Sequence, residues 1–417
     1  MMTEGPAIYR NRTECHICGN RQLTDIMYFG KIPLADKLYT TLQEAQEKEI
    51  TVPLTLQFCP ACSLVQIKEI VDRSILFGAD YPYYTAVSNQ MVAHLGKSAQ
   101  NIIATRKLNA QSFVVEAAGN DGTMLSFFQS TTNNLLNVEP ATGPAAVAAQ
   151  KGINTLNRFF DLSCANHIVA QHGQADVFLG SNVLAHVSDI HGFMEGIHTL
   201  LKDDGMAVIE APYINSVIEG MAFDTVFHQH ICYFSVTALN RLFRLHNLYL
   251  NNIEEVDIHG GSLRLFIQKK EVKGGNTETL LQREADTGIT GVARYLDFKQ
   301  RVEGLKQTIL AELDKIKAGG KNIIGYGAAG KANTFLSYTG ICAQYLDCIA
   351  DKSPHKAGRY FSGCHLKIIS PEVLKANPPA YIFILAWNFA GEIKTELQWF
   401  KDSGGRFIVA LPYYNLT

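Results

Sequence analysis

The sequence lacks both a strong excess of either charge and any long apolar run. Its 37 lysines and arginines nearly balance 39 aspartates and glutamates, for a formal net charge of −2. Nucleic-acid-binding proteins usually carry a basic excess, so this balance argues against nucleic acid as a partner. No apolar run approaches the roughly 18 residues that a membrane-spanning helix needs, and the amino terminus lacks the basic and apolar segments of a secretory signal. We therefore expect a soluble, cytoplasmic protein without membrane partners.

A disulfide framework is also missing. The chain has nine cysteines, an odd number, and 417 residues can bury a core without disulfides. Four of the cysteines form two Cys-x-x-Cys pairs, Cys15 with Cys18 and Cys59 with Cys62. Four thiolates on two chelating turns are the ligand set of a closed structural zinc site, so we predict one structural Zn²⁺. Redox-active Cys-x-x-Cys motifs, or His16 in place of one thiolate, are the alternatives.

The middle of the chain contains the pattern of a nucleotide-binding sheet. An apolar strand ends at Glu116, and a turn with two glycines then leads into a helix. About twenty residues further on, a second strand ends at Glu139, whose carboxylate suits the two hydroxyls of a ribose. A later strand leads into a loop with Asn182 and His186. Alternating strands and helices of this kind predict a doubly wound α/β sheet with an adenosine-containing ligand at the carboxyl ends of its strands.

Two histidines lie one residue apart in the aromatic stretch 223–235. His228 and His230 have Phe227 and Tyr233 as near neighbours. Imidazole suits proton transfer near neutral pH, and the flanking apolar side chains would keep water away from a reaction. The stretch is therefore a candidate catalytic segment, with structural histidines beside a core strand as the alternative.

The glycine pattern returns near the end of the chain. Residues 325–330 have G-x-G-x-x-G spacing after a short apolar strand, which is typical of a loop that binds a pyrophosphate at a helix amino terminus. The next strand ends at Asp351, and a third is followed by 387–388. Taken alone, this segment fits an NAD-dependent oxidoreductase with Asp351 on a ribose.

The motifs of the whole chain, taken in order, resemble one family. They are two Cys-x-x-Cys pairs, Glu-x-x-x-Asn-Asp-Gly, Asn-Val-Leu-x-His-Val, His-x-x-x-Phe-Ser, His-Gly-Gly-Ser-x-Arg and Gly-Tyr-Gly-Ala-x-x-Lys. This set resembles the S-adenosylmethionine-dependent C-methyltransferases that act on nucleotide-linked keto-deoxysugars. The resemblance implies an α/β protein with three parts: a zinc-binding module (1–70), a class I methyltransferase domain with a doubly wound sheet (71–275), and a helical linker with a Rossmann-like domain (276–417).

The resemblance also implies binding roles. S-adenosylmethionine is expected at Glu116, Ala118, Gly119, Asn120, Asp121, Gly122, Glu139, Pro140 and Asn182. A sugar linked to a thymidine or guanosine nucleotide, with its phosphates at the second glycine loop, is expected at Gly325, Gly327, Ala328, Gly330, Lys331, Asp351, Trp387 and Asn388. We expect the protein to act as a monomer or a homodimer.

The implied reaction is methylation of the carbon next to a ketone. A base removes the acidic proton, and the resulting enolate attacks the sulfonium methyl group. We predict His230 as the base, supported by His228. His186, Tyr81 or Tyr83 would then stabilise the enolate oxygen. For the two tyrosines, which lie in the hydroxyl-rich stretch 80–88, packing at a domain boundary is the alternative.

The chain departs from the family pattern at three positions. Ala118 stands where the family usually has glycine, and Phe227 and Gln229 replace the tyrosine and glutamate of its Tyr-x-Glu-His motif. These changes leave room for a second hypothesis, that the chain binds the cofactor or sugar nucleotide without turnover.

Overall fold

The computed structural model describes residues 8–77 and 81–417. Two features named from the sequence lie outside these ranges. They are the first seven residues, which lack the features of a secretory signal, and Asp80 of the hydroxyl-rich stretch. Within the described ranges, no helix combines the length and the apolar character that crossing a membrane requires.

The amino-terminal part is built on a four-stranded sheet. Its strands, in spatial order, are Cys232–Tyr233, Val65–Ile67, Thr51–Phe58 and Thr24–Pro33. The two longest strands pair antiparallel, and apolar residues of both are buried. The edge strand Cys232–Tyr233 comes from the candidate catalytic stretch, so this sheet fixes that stretch to the amino-terminal part.

Two short antiparallel pairs and two helices complete this part. Tyr9–Asn11 pairs with Glu69–Val71, and Leu38–Tyr39 pairs with Tyr360–Phe361 from the far end of the chain. The helices are Leu42–Lys48 and Arg73–Leu76. The second strand pair ties the amino-terminal part to the carboxyl-terminal part.

The middle part contains a seven-stranded sheet. Its spatial order is Tyr249–Val256, Ser262–Gln268, Leu201–Pro212, Ala175–Ser181, Val114–Ala117, Leu135–Val138 and Asn154–Leu156. The last five run parallel, and Ser262–Gln268 is antiparallel to both of its neighbours. If the strands are numbered along the chain and read from Asn154–Leu156 back to Tyr249–Val256, the order is 3-2-1-4-5-7-6. This is the strand order of class I methyltransferases. The predicted doubly wound fold is confirmed.

Helices cover both faces of this sheet, so its central strands are buried, as Val114–Ala117 is throughout. The helices are Asn89–Arg106, Thr123–Ser126, Thr142–Gln150, Leu162–His172, Ile190–Leu200, Ile214–Glu219 and Val236–Leu245. The strand order reverses between Val114–Ala117 and Ala175–Ser181, and such a reversal opens a crevice at the carboxyl ends of the strands.

The carboxyl-terminal part has a second, six-stranded sheet. Its order is Ile368–Ile369, Ile349–Ala350, Ile323–Tyr326, Tyr381–Ile384, Arg406–Val409 and Asn415–Leu416, and only the last strand is antiparallel. The helices of this part are Thr277–Thr287, Val292–Ala318, Ala332–Thr339, Val373–Ala376, Ala390–Glu396 and Gln398–Asp402. The arrangement is Rossmann-like. The boundaries at residues 70 and 275 stay a prediction.

Aromatic side chains pack against one another where the three parts meet. Phe29 of the first part lies 5.3 Å from Tyr338 of the third, measured between ring centroids. Phe223 of the second part stacks 5.6 Å from Phe335 and lies 5.5 Å from Tyr338. This shared core holds residues that are far apart in sequence around one cavity.

Candidate active site

A cavity of about 450 Å³ lies where the three parts meet. The first part contributes Asp36, and the second contributes the turn 116–120 with Phe227, Gln229 and His230. The third contributes 326–327 and 329–331. A cavity of this size at a junction of domains is typical of a ligand site.

The turn after Val114–Ala117 forms one wall. Ala118 and Asn120 both have left-handed backbones, with φ of 53° and 51°. Between them a Cβ on Gly119 would lie 2.4 Å from Asn137 Oδ1, so only glycine fits. Ala118 thus adopts a left-handed conformation that glycine takes more readily. This explains in structural terms why the family usually has glycine at this position.

Two buried carboxylates, Glu116 and Glu139, face this wall. Oε2 of Glu139 accepts a hydrogen bond from the Asn120 amide at 2.9 Å, and Oε1 accepts one from the Ala141 amide at 2.7 Å. Burial raises the pKa of Glu139 to about 7 and that of Glu116 to about 8. Oε2 of Glu116 and Oδ1 of Asn182 have no partner within the described chain. Such buried acceptors need a donor, and the ammonium and ribose hydroxyls of S-adenosylmethionine are donors of that kind.

Pro140 also lines the cavity, but Asp121 and Gly122 do not. The Asp121 carboxylate accepts hydrogen bonds from the Thr123 hydroxyl at 2.6 Å and from the Ala86 amide at 3.0 Å. A Cβ on Gly122 would lie 2.6 Å from Ile153. These two residues therefore stabilise the conformation of the turn but do not line the cavity.

A pair of histidines stands deeper in the cavity. Nδ1 of His186 donates to the carbonyl of Gln229 at 2.7 Å, and Nδ1 of His230 donates to the carbonyl of Thr225 at 3.1 Å. A carbonyl only accepts, so each ring carries its hydrogen on Nδ1 and keeps a lone pair on Nε2. Burial lowers the pKa of His186 to about 4 and that of His230 well below its usual range. Both rings are therefore neutral near pH 7, with centroids 4.7 Å apart.

The structure does not bring His228 into the cavity. Its Nε2 lies 3.0 Å from the carbonyl of Pro53 in the amino-terminal sheet, and its side chain is fully buried there. From this position His228 does not contact a substrate in the cavity, and any supporting role would have to be indirect. Tyr81 and Tyr83, in contrast, both line the cavity, and Phe77 packs against Tyr81 at 5.6 Å and against His186 at 5.5 Å.

The second glycine loop forms another part of the cavity wall. Gly327, Gly330 and Lys331 line the cavity, with Asp351 and Asn388 beside them, whereas Gly325, Ala328 and Trp387 do not. Gly327 has φ of +94°, and a Cβ there would lie 2.6 Å from Ala386 Cβ. The Asp351 carboxylate accepts hydrogen bonds from the amides of Ala328 and Ser353, both at 2.8 Å, and so braces the loop.

Lys331 is held in place at this wall. Its Nζ donates to Oδ1 of Asn388 and lies 4.1 Å from the centre of the Trp387 ring. Trp387 in turn donates to Oδ2 of Asp224 at 2.8 Å. Burial lowers the pKa of Lys331 to about 8, while the charge of Asp224 acts in the opposite direction.

Several cavity residues were given no site role from the sequence, although His259 begins the His-Gly-Gly-Ser-x-Arg motif and Tyr84 lies in the stretch 80–88. They are Asp36, Arg73, Tyr84, His259 and Lys356. His259 has φ of +55° and precedes Gly260 and Gly261, with φ of +90° and +110°. The paired glycines were a signal for a tight loop at this position. Asp36 and Lys356 gave no signal, because tertiary packing alone brings them to the cavity.

The four paired cysteines form a separate cluster in the amino-terminal part. All four sulfur atoms lie within 4.8 Å of one another, with Cys15 and Cys62 at 3.4 Å and Cys18 and Cys59 at 3.6 Å. Tetrahedral Zn–S bonds of about 2.3 Å would place sulfurs about 3.8 Å apart, so the donor set fits zinc. Nε2 of His16 instead lies 2.9 Å from the carbonyl of Val187, outside the cluster.

The strand order and the cavity at its switch point define a class I, S-adenosylmethionine-dependent methyltransferase. Three family models match the chain: a putative zinc binding domain at 15–77, a methyltransferase domain at 94–252 and a C-methyltransferase C-terminal domain at 257–412. The chain is 32% identical over 409 residues to C-methyltransferase NovU of Streptomyces niveus, covering 97% of both proteins. It therefore belongs to the C-methyltransferase family. This assignment contradicts the NAD-dependent oxidoreductase alternative.

Solved methyltransferase structures match only part of the chain. A putative methyltransferase in complex with the Haloferax volcanii Trm112 activator is 13% identical, with a TM-score of 0.35 over 43% of this chain and 92% of that one. Magnesium protoporphyrin IX methyltransferase of Synechocystis PCC 6803 is 12% identical, with a TM-score of 0.33 over 42% and 82%.

Proposed function

We propose that this enzyme methylates the carbon next to the ketone of a nucleotide-linked deoxysugar by way of an enolate. The observation that carries the proposal is that His230 and His186 line one cavity together with the turn 116–120 and residues of the loop 326–331. A base in one cavity with two candidate binding loops is an arrangement that can align two substrates.

The proposed chemistry follows from the protonation states of the site. S-adenosylmethionine would supply an electrophilic methyl group and leave as S-adenosylhomocysteine, whose sulfur keeps the electrons of the broken S–CH3 bond. Nε2 of His230 removes the proton from carbon, and the electrons of the C–H bond form the enolate, whose carbon takes the methyl group. Neutral His186 has no hydrogen on Nε2, so it cannot donate to the enolate oxygen from that side. Burial raises the pKa of Tyr81 well above its usual range, so its hydroxyl stays a donor and takes that role.

The proposed binding sites are the two walls. Glu116, Ala118, Gly119, Asn120, Glu139, Pro140 and Asn182 hold the cofactor. Gly327, Gly330, Lys331, Asp351 and Asn388 hold the sugar nucleotide. We also propose that the four-cysteine cluster binds a structural zinc. The proposed enzyme is cytoplasmic and acts as a monomer or a homodimer.

The test is a screen of keto-deoxysugars linked to thymidine or guanosine diphosphate. Each is incubated with the enzyme and S-adenosylmethionine, and mass spectrometry reports whether the sugar gains one methylene unit. Fragmentation then assigns the new methyl group to carbon or oxygen. Methylation at oxygen, or no gain with any keto sugar, would contradict the proposal.

Replacing Glu139 by alanine should weaken cofactor binding. The change removes the acceptor of two ribose hydroxyls and leaves the amides of Asn120 and Ala141 without theirs. We expect a loss of about 1–3 kcal/mol in the binding free energy of S-adenosylmethionine, measured by calorimetry. Asp176→Ala is the control, because that carboxylate pairs with Lys202 at 2.8 Å and does not line the cavity. An unchanged affinity of the Glu139 variant would place the adenosine elsewhere.

A further inference from the structure

Asp36 brings a carboxylate of the amino-terminal part into the cavity. It lies in the turn between Thr24–Pro33 and Leu38–Tyr39 and has φ of 59°, a left-handed backbone that aspartate tolerates. A Cβ on Gly330 would lie 2.8 Å from Oδ2 of Asp36. The carboxylate therefore stands directly against the glycine loop on which the phosphates were predicted.

Gln229 is the neighbour of Asp36 on the catalytic side. It lines the cavity, is only 2% exposed, and lies beside the Asp36 carboxylate. Its amide is directed at that carboxylate, and the Nε2 atom has no other hydrogen-bond partner within the described chain. An amide nitrogen carries two hydrogens, so the one not directed at Asp36 can donate to a ligand group that accepts a hydrogen bond.

Asp36 and Gln229 together indicate which chemical group of a ligand would bind between them. Burial raises the pKa of Asp36, whereas the nearby ammonium of Lys356 lowers it. When ionised, the Asp36 carboxylate repels a phosphate, and Lys356 offsets that charge only in part, since its Nζ already donates to the carbonyl of Ala328 at 2.7 Å and lies 3.8 Å from Asp351. A hydroxyl satisfies both partners, because it donates to the carboxylate and accepts from the amide. Gln229 directly precedes His230 in the chain and both line the cavity, which favours a hydroxyl on the ring that reacts.

We propose that Asp36 and Gln229 form a subsite that recognises one ring hydroxyl of the acceptor sugar. This inference rests on the proposed function and adds a specificity residue from the amino-terminal part. It also moves the phosphates of the substrate away from Gly330, which packs against Asp36.

The test compares the keto sugar that the enzyme methylates, as its nucleoside diphosphate, with analogues that each lack one ring hydroxyl. The wild-type enzyme should prefer the parent sugar over one analogue by about 10- to 100-fold in kcat/KM, as expected for a hydrogen bond to a charged group. Asp36→Asn should lower kcat/KM for the parent by a similar factor and abolish the preference. Gln229→Glu should do the same, because it places a second carboxylate beside the first. The double variant restores one carboxylate and one amide, and should recover part of the preference.

Asp25→Asn is the matched control. This aspartate also pairs with a glutamine, Gln57, at 2.7 Å in the same part of the protein, but it does not line the cavity. The control should keep the wild-type preference. If Asp36→Asn lowers kcat/KM equally for the parent and every analogue, while cofactor affinity is unchanged, the subsite is wrong and the proposed function stands. If the wild-type enzyme methylates no keto sugar, both fail.

Discussion

Replacing His230 by alanine should lower kcat for methyl transfer by about 100- to 10,000-fold, the usual contribution of a general base. Nδ1 of His230 is fixed by the Thr225 carbonyl at 3.1 Å, so Nε2 is the only atom of the ring free to take a proton. His230 is not among the residues proposed to hold the cofactor. The affinity for S-adenosylmethionine should therefore stay nearly unchanged.

Exchange of the substrate proton with heavy water isolates this step. Exchange needs the base but not the methyl donor, so in the absence of cofactor His230→Ala should suppress it. His228→Ala is the control, because His228 contacts Pro53 and lies outside the cavity. The comparison uses equal amounts of folded protein. If His228→Ala stops exchange and His230→Ala spares it, the base has been assigned to the wrong imidazole.

The pH dependence of exchange gives a second measure of the same residue. Burial lowers the pKa of His230, and a positive charge on His186, His259 or Lys331 lowers it further, whereas the hydrogen bond to the Thr225 carbonyl raises it. A lowered pKa keeps the ring in its neutral, basic form as the pH falls. The exchange rate should therefore stay level from about pH 8 down to about pH 6, below which a free histidine would already be protonated. An acid limb centred near pH 6.5 would indicate a solvent-exposed base instead.

Site residues whose positions depend on nearby parts of the chain could be predicted from the sequence. Glu116 and Glu139 end consecutive strands, and consecutive strands of this fold pair side by side, so the structure brings both to one edge of the sheet. The cysteine pairs could be predicted for a similar reason. Each Cys-x-x-Cys turn presents two thiols together, and the pairing of Thr24–Pro33 with Thr51–Phe58 brings the two turns close.

The histidine pair shows where such reasoning fails. Residues 227–230 form a tight turn closed by the His230 amide and the Phe227 carbonyl at 2.9 Å. The turn sends His228 towards Pro53 and returns His230 to the cavity. No turn residue such as glycine or proline marks it, so the two imidazoles were indistinguishable in the sequence. Asp36 could not be predicted at all, because its role depends on Gly330, far along the chain.

Replacing Cys59 by serine should cost the protein its metal and a large part of its stability. Folding free energy in small zinc modules comes largely from the metal, with apparent binding free energies of about 10–16 kcal/mol in zinc-finger peptides. Metal analysis of the wild-type protein should find about one zinc per chain. In the variant both the zinc content and the unfolding temperature should fall.

The loss should reach the active site, because the strand Val65–Ile67 of the zinc module pairs with Cys232–Tyr233 next to His230. Asp36 belongs to the same part of the protein. We therefore expect Cys59→Ser to raise KM for the sugar at temperatures at which the methyltransferase sheet is still folded. Cys348→Ser is the control, since Cys348 is half-buried in the carboxyl-terminal part and lies outside the four-thiol cluster. A wild-type protein that is isolated without metal and still unfolds at a higher temperature than the Cys59 variant would show that the four thiols stabilise the fold without zinc.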